Sequence, residues 1–145
     1  MKTNLLSPDK DPMGAAIADY FNHRKADKLR VFSSQFEEDE IPMNQLFRPY
    51  DEMPELEQIA LQIAEGNILD VGAGSGCHAL ALQEMGKEVC AIDISPLSVE
   101  VMEKGGIKNV NDFYFMCQNN DRTEQNTNSC YQHTTIPNRS NTECT

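Results

Sequence analysis

Apolar residues follow two different rhythms along this chain, and the change of rhythm predicts its elements. From Pro54 to Glu65, Leu56, Ile59, Ala60 and Ile63 recur at helical spacing, and Gly66 follows as a stop. Such a stripe either roofs a pocket or, more commonly, covers a sheet. Asn67–Val71 is then a short, nearly continuous apolar run, which reads as a buried strand. Helical spacing returns from Cys77 to about Met85, with Leu80 and Leu82 on one side and Gly86 at the end. Val89-Cys90-Ala91-Ile92 is a second apolar strand, closed by Asp93. Ser95 and Pro96 then supply the cap and first turn of a helix carrying Val99 and Met102, and Gly105-Gly106 ends it. Ile107 to Val110 begins a third strand. Strands that alternate with short helices predict βαβ units and a parallel sheet.

The flanking regions are less regular. Residues 1–10 read as disordered. Asp11-Pro12 is a cap and first-turn pair for a helix through about Asn22, with Ala15, Ile17, Ala18 and Phe21 on its apolar side. Leu29–Phe36 alternates loosely and reads as extended, and Ile41–Tyr50, with Pro42 and Pro49, as irregular. Residues 11–66 thus form a helical and irregular extension, and residues 67–116 the α/β part. From Cys117 to Thr145 there are six Asn, six Thr and one aliphatic residue, Ile136. That composition cannot offset a backbone ordering cost of roughly 1–2 kcal/mol per residue, so a disordered tail is expected. The abrupt change inside an unfinished βα pattern fits an out-of-frame reading after a truncation better than a natural tail.

Composition narrows the partners. At 145 residues the chain is one domain at most. Its net charge of −11, with twelve scattered basic residues, argues against nucleic acid and anionic membranes. The acidic run Glu37-Glu38-Asp39-Glu40 reads as a solvated loop. No stretch at the N-terminus is long enough for a signal peptide, and none elsewhere could span a bilayer, so a cytoplasmic protein is expected. Five cysteines without CxxC spacing read as free thiols, and His23, His78 and His133 are too isolated to hold a metal.

The chemistry gathers at the first strand–helix junction. Gly72, Gly74 and Gly76 let a turn wrap closely around a ligand, with Ala73 between the first two. Asp70 stands two positions before the turn, and Asp93 lies at the tip of the neighbouring strand, where a ribose would lie in a doubly wound sheet. Backbone N–H groups at the helix start are expected to approach the ligand, and the Asp93 carboxylate to accept from ribose hydroxyls. Plainer roles compete: a turn-stabilising carboxylate for Asp70, and a helix-start charge partner for Asp93.

Leu69–Gly76 and Val89–Asp93 together resemble the first two motifs of the class I S-adenosylmethionine-dependent methyltransferases, and Asp93-Ile94-Ser95-Pro96 resembles that family's strand-to-helix junction. The resemblance is firm over about residues 54–110, extends plausibly back to Asp11 and is absent from the tail. It implies a Rossmann-like α/β fold, a doubly wound parallel sheet of which only the first three strands are present, and S-adenosyl-L-methionine as cofactor. Gly72, Ala73, Gly74 and Gly76 would approach the methionine and sugar, and Asp70 would fix the loop or reach the methionine end through water. Asp93 would hold the ribose hydroxyls and Ile94 would flank the adenine. Asp112 is the candidate for the third-strand acidic residue that meets the adenine amino group.

The groups that touch the methyl acceptor in this family follow the fourth strand, so no catalytic residue is assigned. The acceptor, a small molecule or a protein, stays open. The expectation is a truncated and inactive methyltransferase whose exposed sheet edge invites self-association. Two other readings are a NAD(P)- or FAD-binding oxidoreductase fragment, which more often shows GxGxxG, and a non-enzymatic pseudoenzyme or interaction module.

Overall fold

The computed structural model describes residues 6–24 and 28–112. The tail expected to be disordered, and residues 1–5, lie outside that range. Pro8–Lys10 forms a single 3-10 turn, so the expectation of disorder through residue 10 is corrected at its end.

Helix α1, Pro12–His23, starts as its cap signal predicts: the Gly14 amide donates to Asp11 Oδ1 at 2.8 Å. Two short strands follow, β1 (Lys28–Val31) and β2 (Asp39–Pro42), paired antiparallel with Arg30 opposite Glu40. They revise the sequence reading. The extended segment stops at Val31 rather than Phe36, and part of the acidic run is strand rather than loop. Lys28 binds Glu40 at 2.5 Å and Arg30 binds Glu38, so cross-strand ion pairs orient the exposed carboxylates. The segment read as irregular holds a 3-10 helix, Met43–Phe47.

Helix α2 covers Glu55–Ile63. Its C-terminal carbonyls are gathered by one cation: Lys87 Nζ donates to Leu61, Gln62 and Ala64 oxygens at 2.7–2.8 Å. That ammonium satisfies groups a helix end leaves open, and favours the negative end of the helix dipole. The apolar face of α2 runs against expectation. Leu61 is buried, while Leu56 and Ile63 are 79% and 71% exposed and Ile59 is also exposed.

The parallel sheet is as predicted in kind. Strands β3 (Ile68–Val71), β4 (Val89–Asp93) and β5 (Val110–Asp112) lie in that order, with α3 (Cys77–Glu84) and α4 (Pro96–Lys104) as the crossovers. Ile68 pairs with Val89, and Asp93 with Asp112. The third strand starts three residues later than its apolar signal. Ile107 belongs to the core instead, packed with Met102, Ala79, Leu82, Val89 and Ala91. A second cluster, Ile17, Met43 and Val101, joins α1 to α4, with the Tyr20 and Phe47 rings 4.9 Å apart beside it. The N-terminal extension therefore packs directly on the α/β part.

Candidate functional site

The loop between β3 and α3 and the end of β4 lie side by side. Gly74 donates its amide to Asp93 Oδ2 at 2.8 Å, and Ser95 donates to Asp93 Oδ1 at 2.8 Å. One carboxylate thus binds the glycine turn to the β4–α4 junction. Each of its oxygens, having accepted one amide, retains acceptor capacity. The plainer role of Asp93 as a charge at a helix start and its expected role toward a ribose are compatible in this geometry.

The loop amides do not wait for a ligand, and here the sequence expectation is corrected. Gly72 and Ala73 both donate to the Ile92 carbonyl, at 2.9 and 3.1 Å, and Gly76 donates to the Ala73 carbonyl at 2.8 Å. With Gly74 held by Asp93, four of the five loop amides have internal partners. For Gly72 the cause is the parallel pairing itself, since the strand ladder continues one residue past Val71; Gly74 is held by the Asp93 side chain and Gly76 within the loop. A pyrophosphate is held by free backbone amides at such a turn, and these four are already engaged. The loop therefore suits an uncharged sugar and a zwitterionic chain better than a dinucleotide.

The three glycines serve different ends. All have positive φ, 70°, 60° and 81° at Gly72, Gly74 and Gly76, where a Cβ is costly. At Gly72 an added Cβ would meet open space, and at Gly74 only Ile17 Cδ1 at 3.6 Å. At Gly76 it would meet Ile107 Cδ1 at 2.2 Å and Met102 Cγ at 2.9 Å. Gly72, Ala73 and Gly74 line a cleft of about 400 Å³ together with Asp93 and Ile94, whereas Gly76 is a packing position beneath it. Ile94 is 50% exposed, a flat apolar surface at the cleft edge.

Asp70 and Asp112 stand off the cleft wall. Asp70 lies on the face of β3 toward α3, with Oδ2 buried and without a hydrogen-bond partner among the described residues. Burial pushes its carboxyl above the usual range. The proximity of His78 and a hydrogen bond from the Ala79 amide act the other way, and the charge of Asp93 adds to the rise. Asp112 is beside Asp93 in register, on the outer strand.

The opposite wall was not legible in the sequence. It is the start of α1 with the residues before it, Lys10, Asp11 and Met13, joined by Ile17, Leu46 and His78. Only the Asp11-Pro12 cap was legible, and a cap signal does not say what the helix packs against. His78 reaches back to Glu57 Oε2 at 2.9 Å, and Arg48 Nη2 binds Glu57 Oε1 at 2.6 Å. Those two partners, His78 first, hold the Glu57 carboxyl below its usual range. Cys77, half-buried in the cleft wall, has its thiol pushed up by burial. Among the described residues Cys77 and Cys90 form no disulfide, and Cys90 Sγ accepts from Asn111 Nδ2 at 3.4 Å; the other three cysteines lie outside the described residues. Among the described residues no three metal-ligating side chains cluster, and no helix is long and apolar enough to cross a membrane.

Comparison with known proteins bears on this geometry. Residues 69–130 match a family model described as a methyltransferase domain. The chain is similar in structure to an S-adenosylmethionine-dependent methyltransferase from Bacteroides fragilis, solved in complex with S-adenosyl-L-homocysteine. The two are 70% identical with a TM-score of 0.69, and the match covers 76% of this chain and 46% of that one. This chain therefore spans about half the length of that relative. The glycine turn and the carboxylate that grips it both lie within the residues that match the methyltransferase-domain model, and the chain is similar there to an S-adenosylmethionine-dependent methyltransferase.

Proposed function

We propose that the cleft binds S-adenosyl-L-methionine and that the protein serves methyl transfer to a small-molecule or protein acceptor in the cytoplasm. The observation that carries this reading is the Gly74–Asp93 hydrogen bond, which sets a wall of small residues, Gly72, Ala73 and Gly74, beside a carboxylate with unused acceptor capacity. Asp93 would accept from the ribose hydroxyls, Ile94 would lie along the adenine, and Gly72, Ala73 and Gly74 would pass close to the sugar and methionine portion. Asp112 would stand behind Asp93 on the adenine side. Asp70 and Gly76 would act from beneath, Gly76 by letting the turn settle onto Met102 and Ile107.

When bound, the cofactor supplies an electrophilic methyl group on a positively charged sulfur. The task of the chain is alignment of that ligand, because in-line displacement depends on geometry. The Asp93 carboxylate and the occupied loop amides favour a cationic sulfonium over a pyrophosphate. The net charge of −11 makes nucleic acid a poor acceptor.

Calorimetric titration of the purified chain with S-adenosyl-L-homocysteine tests the reading, with NAD as the comparison ligand. Saturable binding of the first alone is the expected result. Ligand at ten times Kd should then raise stability by about 1.4 kcal/mol, seen as an upward shift in melting temperature. Protection by NAD without protection by S-adenosyl-L-homocysteine would replace this reading with the oxidoreductase one.

A further inference from the structure

Asp11 is buried, at 2% exposure, although it lies just before a helix near the N-terminus. Its two oxygens are both used. Oδ1 accepts from the Gly14 amide within its own helix, and Oδ2 accepts from Ser95 Oγ at 2.6 Å, 84 residues away in sequence. Ser95 Oγ in turn accepts from the Ser98 amide at 3.0 Å, and Ser95 donates its own amide to Asp93. A continuous set of hydrogen bonds therefore runs from the start of α1 through Ser95 to Asp93 and on to Gly74.

This junction is closely fitted. A Cβ on Gly14 would lie 2.1 Å from Ser95 Oγ and 2.3 Å from Asp11 Oδ2, so only glycine lets the helix approach. The same approach brings Lys10 and Met13 to the cleft, facing the wall made by Ala73, Gly74 and Asp93. A buried carboxylate bonded to a hydroxyl and an amide is a strong, geometry-specific contact, and losing one partner leaves the other desolvated.

We propose that the Asp11–Ser95 hydrogen bond is a clasp that couples the seating of α1 to ligand binding in the cleft, with Asp11 and Ser95 as positioning residues. This rests on the cofactor reading given above. Seating α1 completes one wall, and the ligand touches both walls, so it binds the clasped form more tightly than the unclasped one. Linkage requires the reverse as well: the ligand must strengthen the clasp by the same factor.

The test pairs affinity with hydrogen exchange. Wild type, Ser95→Ala, Ser95→Thr and Gly14→Ala are titrated with S-adenosyl-L-homocysteine well below their melting temperatures. Ser95→Ala and Gly14→Ala should each weaken binding by about tenfold or more, from the loss of a charge-assisted hydrogen bond. Ser95→Thr, which keeps the hydroxyl, should recover most of the affinity. In wild type the ligand should slow exchange of the α1 amides, and in Ser95→Ala that slowing should disappear. A merely structural contact would lower melting temperature without moving either readout. Wild-type affinity in Ser95→Ala, or α1 exchange indifferent to ligand in wild type, overturns the clasp and leaves the cofactor reading intact. Absence of any binding to wild type overturns both.

Discussion

Neighbouring strands of one sheet have different surroundings. In β4, Val89, Cys90, Ala91 and Ile92 are all buried, between β3 on one edge and β5 on the other. In β3, Ile68 and Asp70 are half-buried while Leu69 and Val71 are exposed, Val71 at 62%. Both strands are apolar, and both pair in parallel. The difference lies in neighbours: β3 has one paired edge among the described residues, and nearby α2 likewise turns Leu56 and Ile63 outward. Apolar sequence states what a segment could bury, and the tertiary neighbours determine what it does bury.

The largest test of this contrast is at the glycine turn, which bridges the two environments. Gly76→Ala should cost about 3 kcal/mol or more, since strain at positive φ adds to a collision with Ile107 and Met102. Gly72→Ala, with similar φ and open space, should cost only about 1–2 kcal/mol. Chemical denaturation of both variants measures the gap. Equal losses would mean that backbone strain alone governs the turn.

Next comes the core beneath β4. Met102→Ala should lower stability by about 2–5 kcal/mol, because the buried side chain leaves a cavity. Val71→Ala on the open face of β3 should cost under about 1 kcal/mol in the same denaturation assay. A Val71 loss as large as that of Met102 would show that this face is covered in solution.

A smaller effect, visible through pH, marks the closed face of β3. The Asp70 carboxyl titrates higher in the folded chain than an ordinary aspartate, chiefly because of burial. The folded state therefore prefers the protonated form. That preference helps stability fully below the unfolded value and is lost as pH rises through the folded one. Asp70→Asn should then gain melting temperature relative to wild type between acid and neutral pH. A gap that shrinks as pH rises would contradict the sign.

The smallest stability effect belongs to α2. Leu56→Gln with Ile63→Gln should change unfolding free energy by no more than about 0.5 kcal/mol per site, as exposed positions do. The same pair should reduce self-association in light scattering, since exposed apolar stripes and open sheet edges promote contact between molecules.

The sequence carried the fold wherever local chemistry sufficed. Ser95-Pro96 and Asp11-Pro12 announced helix starts, the glycines announced the turn, and Val89–Asp93 announced a strand with its acidic tip. It failed where the answer depended on distant partners. The stripe on α2 has a sound helical period, yet nothing local says that its outer face has no partner. Ile107 reads as strand because it is β-branched and apolar, but it is drawn into the space that Gly76 leaves. The wall formed by Lys10, Asp11 and Met13 depends on a bond between residues 11 and 95 that no spacing rule reveals.

The amides of Gly72, Ala73, Gly74 and Gly76 are satisfied before any ligand arrives. The turn is thus a rigid socket rather than a loop that must fold around its guest, and little conformational entropy is lost there on association. Whatever slowness or selectivity the encounter shows should originate in the wall set by α1, with the glycine side behaving as a fixed stamp.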